Sequence, residues 1–363
     1  MLGVTSLGED NSTKQRSRNR VLTFTADGYD YNSCFHPALR HAGIEVHKAR
    51  WSGRWLYAKA RSGDVISLDW PSLLYYHPES RLRTWGSLLR FLVLMLALHL
   101  RGAKVAWTAH NLYPHDGGRA ELVHRIGRYI VVRLASFVGV HGHVAAARVK
   151  HEFGVPSSKL VLLEHGNWVG FYANTVTRQT ARARLNILQD NYVFLFIGLC
   201  KPYKNLEYLL RSHAAMQDDS LLWIVGQFQS KAYYDKVMQN ARSAAADLIT
   251  IRDKFVAPED LQFYLNACDA VVLPYQEILT SGAAMLALSF GRPVVAPRLG
   301  TLEEVVTDEC GILYDPRSDT ALTTAMRTAR TRRFSPDRIL ARAQQFSWDR
   351  SAAAFAKKIL EIR

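Results

Sequence analysis

Short apolar runs alternate with helical patterns along almost the whole chain, and this alternation limits the fold more than any other feature of the sequence. Apolar, β-branched runs separated by helices are typical of parallel strands in βαβ units. In the first half the predicted strands are Val21–Thr25, Val65–Leu68, Lys104–Thr108, Phe137–Val140 and Leu160–Leu163. In the second half they are Tyr192–Gly198, Leu221–Val225, Leu248–Arg252, Ala270–Leu273 and Pro293–Ala296. The pattern predicts an α/β protein with parallel sheets.

The length of the chain predicts two such domains. Its 363 residues exceed what one ordinary core accommodates, and strand signals occur in both halves. Each half by itself is typical of a doubly wound, Rossmann-like domain. We expect a disordered basic lead-in over residues 1–20, a first domain over 21–175, a second over 176–345 and a final helix over 346–363.

Positive charge is concentrated in the first half of the chain. The net charge of the whole sequence is +14: residues 1–180 contribute +11, from 23 Lys and Arg against 12 Asp and Glu, and residues 181–363 contribute +3. This excess indicates an anionic partner for the first half, either phospholipid headgroups, a lipid diphosphate or nucleic acid. The alternative is a basic surface that only keeps the protein soluble.

An apolar segment interrupts this basic half. Phe91–Leu98 reads FLVLMLAL, which is shorter than the ~18 apolar residues that a spanning helix needs. It is flanked by arginines, namely Arg81, Arg83, Arg90 and Arg101. The segment is either a buried helix or a helix lying in the plane of a membrane, with its arginines at the headgroups. A second basic amphipathic stretch, Arg119–Phe137, favours the membrane interpretation.

Several common site signatures are missing from the sequence. Four cysteines lie far apart, at Cys34, Cys200, Cys268 and Cys310. Their spacing indicates neither a zinc site nor a disulfide framework, and it fits a reducing cytoplasm. Residues 1–20 contain no apolar core of a secretory signal, and no G-x-G-x-x-G run supports dinucleotide binding.

The most informative segment is Phe194–Leu210, FLFIGLCKPYKNLEYLL. A buried strand ends at its glycine, and a short loop then presents Lys201 and Lys204 before a helix begins near Asn205, a favourable N-cap residue. Ligands of doubly wound folds bind at the carboxyl ends of strands, beside helix N-termini. Two lysines placed there suit a diphosphate, whose charge they neutralise. The alternative is a pair of solvated loop lysines.

A second segment carries hydroxyl groups and a glycine ahead of an apolar helix. The run Thr280-Ser281-Gly282 follows a strand and precedes Ala283–Phe290, which is almost entirely apolar and so predicted to be buried. The hydroxyls and backbone N–H groups at such a helix start form an anion site, and the glycine permits close approach of a ligand. The alternative is simple helix capping by serine or threonine.

A third segment, Gly300–Pro316, begins with a glycine turn after a strand. Glu303 or Glu304 follows that turn and could accept hydrogen bonds from the hydroxyls of a ribose. The alternative, for one of the two, is an exposed first-turn glutamate favoured by the helix dipole.

These three segments, in this order and spacing, resemble the nucleotide-binding domain of GT-B glycosyltransferases related to family 4 and to bacterial exopolysaccharide mannosyltransferases. The resemblance covers about residues 190–350. It implies a GT-B fold of two Rossmann-like, doubly wound domains facing a cleft. It also implies that Lys201 and Lys204 hold the donor diphosphate, that Glu304 holds the ribose, and that the helix at Phe346–Asp349 crosses back to the first domain.

One departure from the family concerns two glutamates. Retaining members carry a pair eight residues apart, and the matching positions here are Ile278 and Leu286, with Glu277 off by one. The resemblance therefore favours an inverting relative, with the xanthan-type β-mannosyltransferases as the leading comparison and GDP-mannose as the implied donor.

The first half resembles the same group in two loops. Trp107–Asp116 is similar to its H-N-x-x-P-H loop, which implies that His110 and Asn111 face the cleft, where His110 either orients the donor sugar or acts as a base. The turn containing His165 and Gly166 is similar to the hinge turn that meets the donor sugar. Other residues expected near the cleft are the carboxylates Asp27 and Asp116 and the turn glycine Gly28, and the base remains undecided among the candidates.

The expected function is transfer of mannose to a lipid-linked glycan acceptor in exopolysaccharide or surface polysaccharide synthesis. We expect a cytoplasmic protein held peripherally at the inner face of the plasma membrane. Because no D-x-D cluster stands in a suitable loop, we expect no metal and no cofactor besides the nucleotide sugar. The alternatives are a retaining transferase using a UDP-sugar, a nucleotide-sugar 2-epimerase, a catalytically inactive scaffold and a non-enzymatic nucleic-acid binder, although we expect no nucleic acid partner.

Overall fold

The computed structural model describes residues 19–24, 30–114, 121–243 and 246–362. These residues form two compact units. The N-terminal unit comprises the described residues up to Glu164 and those from Trp348 onward, and the C-terminal unit comprises His165–Ser347. The division lies upstream of the boundary expected at 175/176, because the backbone N–H of Asn167 already donates to Phe346 O (3.1 Å) of the C-terminal unit.

The N-terminal unit is built on one parallel sheet with the strand order β2-β1-β3-β4-β5-β6. The strands are β1 (Arg20–Thr23), β2 (Glu45–Lys48), β3 (Val65–Leu68), β4 (Lys104–Thr108), β5 (Phe137–Val140) and β6 (Leu160–Leu162). The helices between them are α1 (Asp30–His41), α2 (Gly53–Lys59), α3 (Arg81–Leu100), α4 (Leu122–Leu134) and α5 (His143–Phe153). Short 3₁₀ helices occupy Pro71–Leu74 and Ser157–Lys159.

The C-terminal unit repeats this plan with the parallel strand order β12-β11-β10-β7-β8-β9. Its strands are β7 (Val193–Ile197), β8 (Leu221–Val225), β9 (Ile249–Arg252), β10 (Ala270–Val272), β11 (Val294–Pro297) and β12 (Gly311–Tyr314). Its helices are α6 (Arg178–Leu185), α7 (Leu206–Ala214), α8 (Lys231–Ser243), α9 (Leu261–Ala267), α10 (Gly282–Ser289), α11 (Leu302–Val305), α12 (Ala321–Thr331) and α13 (Pro336–Gln344). Short 3₁₀ helices occupy Pro202–Lys204 and Ala246–Leu248.

The last helix, α14 (Trp348–Glu361), belongs to the N-terminal unit. Its residues Ala352, Phe355 and Ile359 are completely buried in the same core as Val21 and Phe35. The ring of Phe355 packs edge-on against Phe35, with 5.8 Å between centroids. The first unit is therefore assembled from two stretches that are distant in the sequence.

The structure confirms the α/β class and the ten strand positions predicted from the sequence to within about two residues. Two strands were missed, β2 and β12. Strand β2 is at the edge of its sheet and is only half-buried, so its residues Glu45–Lys48 carry no apolar signal. Strand β12 is also an edge strand with a partly exposed middle. The other two edge strands, β6 and β9, are also only half-buried and were nevertheless predicted, so an edge position alone does not explain the two missed strands.

Candidate active site

The three predicted ligand-binding segments follow β7, β10 and β11, which are neighbours in the C-terminal sheet. Because parallel neighbours end at the same edge, the loops after these strands lie side by side, and we call this the nucleotide edge. Two backbone hydrogen bonds connect the loops: Gln276 N donates to Tyr203 O (2.9 Å), and Thr301 N donates to Leu279 O (2.9 Å). The structure thus brings together Lys201, Lys204, Thr280, Ser281, Gly282, Glu303 and Glu304.

Lys204 is the unusual residue of the nucleotide edge. Its side chain is buried, with the residue only 8% exposed, and no carboxylate of the described residues pairs with it. Its Nζ lies over the rings of Phe196 (5.4 Å) and Tyr275 (5.6 Å). Burial lowers the pKa of the Lys204 ammonium to about 8; Cys200 opposes this effect and Lys201 adds to it. Because this desolvated ammonium has no counter-ion among the described residues, binding of an anion beside it would be favourable.

The approach to Lys204 is shaped by two glycines. Gly198 follows β7 with φ +129°, and a Cβ there would lie 3.4 Å from the Lys204 Nζ. Gly226 follows β8 with φ +152°, and a Cβ there would lie 1.9 Å from the Gly198 carbonyl oxygen. Both positions therefore require glycine, and the close contact between the two backbones fixes the path of the lysine loop.

Replacing Gly226 with alanine tests this support. We expect a loss of more than about 2 kcal/mol in the free energy of unfolding, since the new methyl group displaces the backbone of Gly198 and the conformation is strained. The matched control is Gly43→Ala, which has a similarly unfavourable φ of +80° but open space around the new Cβ. That control should cost only about 1 kcal/mol. Equal losses in urea unfolding would show that the backbone contact is unimportant.

The helix after Lys204 begins where the sequence predicts, with Asn205 as its N-cap residue, but the expected capping by the asparagine side chain is not formed. Asn205 adopts a left-handed conformation (φ 55°, ψ 47°), and its side chain makes no capping hydrogen bond. The phenol oxygen of Tyr233 accepts the hydrogen bond from Leu206 N instead (3.3 Å). Asparagine tolerates the left-handed region better than most residues, so its role here is to turn the chain sharply between the lysines and α7.

The turn before α10 uses its two hydroxyls differently. Ser281 Oγ accepts from Ala284 N (3.2 Å) and donates to the phenol oxygen of Tyr275 (3.4 Å), so this hydroxyl caps the helix. Thr280 is half-buried, and its Oγ1 accepts from Thr301 Oγ1 (3.3 Å). The N–H groups of Gly282 and Ala283 are in the first helical turn and have no intrahelical acceptor. An anion at this helix start would therefore accept hydrogen bonds from backbone N–H groups. Tyr275 contacts both this turn and Lys204.

The hinge residues expected to meet the donor sugar lie against the same turn. His165 is buried, and its Nε2 is 3.5 Å from the position of a Cβ on Gly282. The indole Nε1 of Trp168 donates to Gly282 O (3.4 Å). Gly166 is buried beside His165, whose Nδ1 donates to its carbonyl (2.8 Å). The His165 imidazole therefore lies in van der Waals range of the start of α10.

The two glutamates after β11 differ in exposure. Glu303 is exposed and Glu304 is half-buried on the short helix α11. The guanidinium of Arg342 stabilises the end of this helix by donating hydrogen bonds to the carbonyl oxygens of Glu304 and Val305. Of the two candidates, Glu304 has the more enclosed position, and its role with a ribose stays a prediction.

In the N-terminal unit, the structure places His110 in a chain of polar groups. Leu163 O can only accept, so the 2.6 Å contact assigns a hydrogen to His141 Nδ1. His141 Nε2 then accepts from His110 Nδ1 (3.0 Å). This leaves His110 Nε2 as a basic nitrogen, buried and 3.9 Å from Asp69 Oδ1. A proton taken up at this nitrogen would face a carboxylate.

Two aromatic rings hold the His110 imidazole in place. Trp70 stacks on it at 4.4 Å with an interplanar angle of 13°, and Tyr31 packs edge-on at 4.6 Å. Asp69, Trp70 and His141 were not among the residues predicted from the sequence. Asp69 and His141 are polar residues directly after the buried strands β3 and β5, so the expectation that ligands bind at the carboxyl ends of strands is a signal that could have found them.

Other predicted residues are less informative. Asn111 is half-buried directly after His110. Asp27, Gly28 and Asp116 lie outside the described residues. Within the described ranges, no group of three or more His, Cys, Asp or Glu side chains is placed to hold a metal ion.

Known proteins resemble the chain in sequence and in fold. The family described as "Glycosyl transferases group 1" matches residues 191–331. The chain is 31% identical over 272 residues to a GDP-mannose:glycolipid 4-beta-D-mannosyltransferase of Xanthomonas campestris pv. campestris, covering 72% of this chain and 70% of that protein.

Two solved structures illustrate the fold. Sucrose-phosphate synthase of Thermosynechococcus elongatus superposes with a TM-score of 0.66 at 17% identity, covering 95% of both chains. Anabaena HepE in complex with UDP and glucose gives 0.64 at 16% identity, covering 95% of this chain and 97% of that one. The extent of the mannosyltransferase match, together with two Rossmann-like units, decides the family. The chain belongs to the group 1 glycosyltransferases and has the GT-B fold.

Proposed function

We propose that the protein transfers mannose from GDP-mannose to a hydroxyl of a lipid-linked glycan, with inversion at the anomeric carbon, during synthesis of an exopolysaccharide or surface polysaccharide. The name of the 31% identical relative supports both the donor and the glycolipid acceptor. The absence of carboxylates at Ile278 and Leu286 supports inversion, as the sequence comparison implies. The resemblance to the xanthan-type enzymes supports a role in polysaccharide synthesis.

The observation that carries the proposal is Lys204, a buried ammonium at the carboxyl end of β7 that has no carboxylate partner among the residues the structure describes. A nucleoside diphosphate leaves with extra negative charge, and a desolvated cation stabilises that charge far more than a solvated one does. Lys201 and the N–H groups at the start of α10 add to the same field. We propose that these groups replace a metal ion in the reaction.

Proton transfer from the acceptor hydroxyl needs a base. We propose His110 for this role, since its Nδ1 is engaged with His141, its Nε2 has no hydrogen-bond partner among the described residues, and Asp69 Oδ1 lies 3.9 Å from that nitrogen, where it would stabilise an imidazolium. Asp27 and Asp116 are the other candidates from the sequence.

A donor panel tests the proposal. Purified protein would be melted with GDP-mannose, UDP-glucose, UDP-GlcNAc or UDP-glucuronate, each in the presence of EDTA. We expect stabilisation by GDP-mannose alone, of about 2.7 kcal/mol at a concentration one hundred times its dissociation constant. Lys204→Met is the control and should lose most of this shift.

Each other result has a definite meaning. Selective stabilisation by a UDP-sugar would show that this sugar nucleotide, and not GDP-mannose, is the donor, and it would favour the retaining alternative. A response that disappears with EDTA and returns with Mg²⁺ would contradict metal independence. Conversion of the donor into its 2-epimer in the absence of an acceptor would indicate that the protein is an epimerase and not a transferase. No shift with any donor at millimolar concentration would contradict the proposal as a whole.

A further inference from the structure

Helix α3 exposes a continuous apolar stripe. Its outward residues recur at intervals of three or four, so they lie along one side of the helix. The exposed fractions are high for side chains of this kind: Leu82 85%, Trp85 44%, Leu89 65%, Val93 57%, Leu96 51% and Leu100 76%. Exposed apolar patches that extend over a whole helix are rare on monomeric soluble proteins and mark an interaction surface.

The opposite side of α3 packs into the N-terminal unit. Leu88, Phe91, Met95 and Leu98 are at most 3% exposed. By length and composition, α3 is the one helix among the described residues that is long and apolar enough to cross a membrane, with 20 residues and a mean hydropathy of 1.2. Crossing would require the helix to leave this core. The geometry instead suits a helix that lies in the plane of an interface.

The charged side chains on α3 itself all have one sign, although Glu121 lines the groove between α3 and α4. Between residues 81 and 101 there is no Asp or Glu, and the arginines are Arg81, Arg83, Arg90 and Arg101. Arg83 and Arg90 are seven residues apart, so they lie on the same side of the helix. At the other end, Arg101 stacks over the ring of Tyr57 (5.0 Å), which is itself 77% exposed. Arginine and tyrosine beside an apolar stripe are typical of residues at the headgroup level of a bilayer.

Helix α4 continues this surface. Its exposed residues Leu122, Arg125, Tyr129 and Arg133 recur at intervals of three or four. Leu122 and Trp85 of α3 line the same surface groove of about 470 Å³, which makes the two exposed faces contiguous. We call the outward residues of α3 and α4 the apolar-basic face.

We propose that the apolar-basic face docks the protein on an anionic phospholipid bilayer, with α3 lying in the plane of the membrane and its leucines at the boundary of the acyl chains. Charge complementarity selects this occupant over a second copy of the chain. Two copies meeting through α3 would bring arginines against arginines, with no carboxylate on this helix to compensate. Anionic headgroups supply that compensation.

Vesicle flotation without donor or acceptor tests the docking surface. The wild-type protein should float with vesicles containing phosphatidylglycerol, bind vesicles of phosphatidylcholine alone at least tenfold more weakly, and detach in high salt. The double variant Leu89→Ser, Leu96→Ser should weaken binding about tenfold or more. The double variant Arg83→Gln, Arg90→Gln should weaken it roughly fivefold for each arginine.

Matched controls carry the same substitutions elsewhere. Leu188→Ser with Leu360→Ser removes two exposed leucines, and Arg332→Gln with Arg333→Gln removes two exposed charges. These controls should float like the wild type, and all variants should melt as cooperatively as the wild type, since every altered side chain is exposed. A fluorescence readout comes from Trp85: brominated lipids should quench the wild type more than Trp85→Phe.

Three outcomes would overturn the inference. Equal flotation of the α3 variants and their controls would show that the apolar-basic face does not bind the membrane. A dimer in light scattering that the Leu89→Ser, Leu96→Ser variant abolishes, without flotation of the wild type, would assign the face to a second copy. Retention on vesicles after high-salt and alkaline washing would indicate insertion of α3. Because no sugar is present, failure here is distinguishable from failure of the donor panel.

Discussion

Replacing Lys204 with methionine is expected to remove most of the transferase activity while making the free protein more stable. Methionine has a similar length and no charge, so it fills the space over Phe196 and Tyr275 without the desolvation cost of an ammonium. The expected loss in kcat is about 10²–10³-fold, which is typical for removal of one group that stabilises charge in a transition state. The measurement is initial rates with GDP-mannose and a glycolipid acceptor.

The stability of the same variant follows from the pKa of Lys204. The folded value of about 8 is below the ordinary value of 10.5, so the unfolded chain binds more protons between these two pH values. The contribution of this lysine to stability is therefore complete above pH 10.5 and is lost as the pH falls through 8. At pH 7 methionine should raise the free energy of unfolding by up to about 3 kcal/mol, and this advantage should shrink towards pH 10.5.

The pH profile of the wild-type enzyme gives an independent check. Because a neutral amine does not attract the diphosphate, kcat/KM should fall as the pH rises above about 8. Lys204→Arg, which keeps its charge at all these pH values, should lose this limb of the profile. A Lys204→Met protein that is inactive and also destabilised would indicate a purely structural lysine and contradict the diphosphate role.

Replacing His110 is expected to produce the second large effect. His110→Phe keeps the packing against Trp70 and Tyr31 but removes both nitrogens. If Nε2 accepts the proton of the acceptor hydroxyl, kcat should fall about 10²–10⁴-fold while donor binding in the thermal-shift assay stays unchanged. Asp69→Asn should reduce kcat in the same direction, because the imidazolium loses its carboxylate.

His110→Gln separates proton transfer from orientation. The amide of glutamine can still donate to His141 Nε2, as His110 Nδ1 does, but it cannot take up a proton. We expect this variant to be nearly as inactive as His110→Phe. Activity within about threefold of the wild type would show that His110 acts by positioning and would return the base to Asp27 or Asp116.

The sequence predicts where the candidate diphosphate-binding residues lie better than it predicts the contacts among them. Lys201, Lys204 and Thr280–Gly282 follow strands that are buried on both faces, so their apolar runs are clear and the loops after them can be placed at one edge. The contact between Lys204 and Tyr275 is not predictable in this way, since it depends on how two loops pack together. The start of α7 is likewise set by tertiary contacts. Asn205 is left-handed and does not cap the helix, and the acceptor for Leu206 N comes from Tyr233 on another helix.

The burial of Lys204 also exceeds what a sequence can show. A lysine in a loop is normally solvated, and nothing in its neighbours distinguishes this one from Lys201. The path of the lysine loop depends on the close backbone contact between Gly198 and Gly226, which follow β7 and β8 and are far apart in the sequence. Asp69 and His141 follow two different strands, and the sequence could mark them as strand-end polar residues, but their contacts with His110 depend on the order of the strands in the sheet.

The return of α14 to the N-terminal unit has a consequence for synthesis on the ribosome. Domains usually fold in the order in which they emerge. Here the core around Val21 and Phe35 stays open until Phe355 and Ile359 have been translated, whereas residues 165–347 form an uninterrupted stretch. The unit that is started first is therefore completed last, and a nascent chain halted at residue 347 would hold a complete nucleotide edge beside an unfinished first unit.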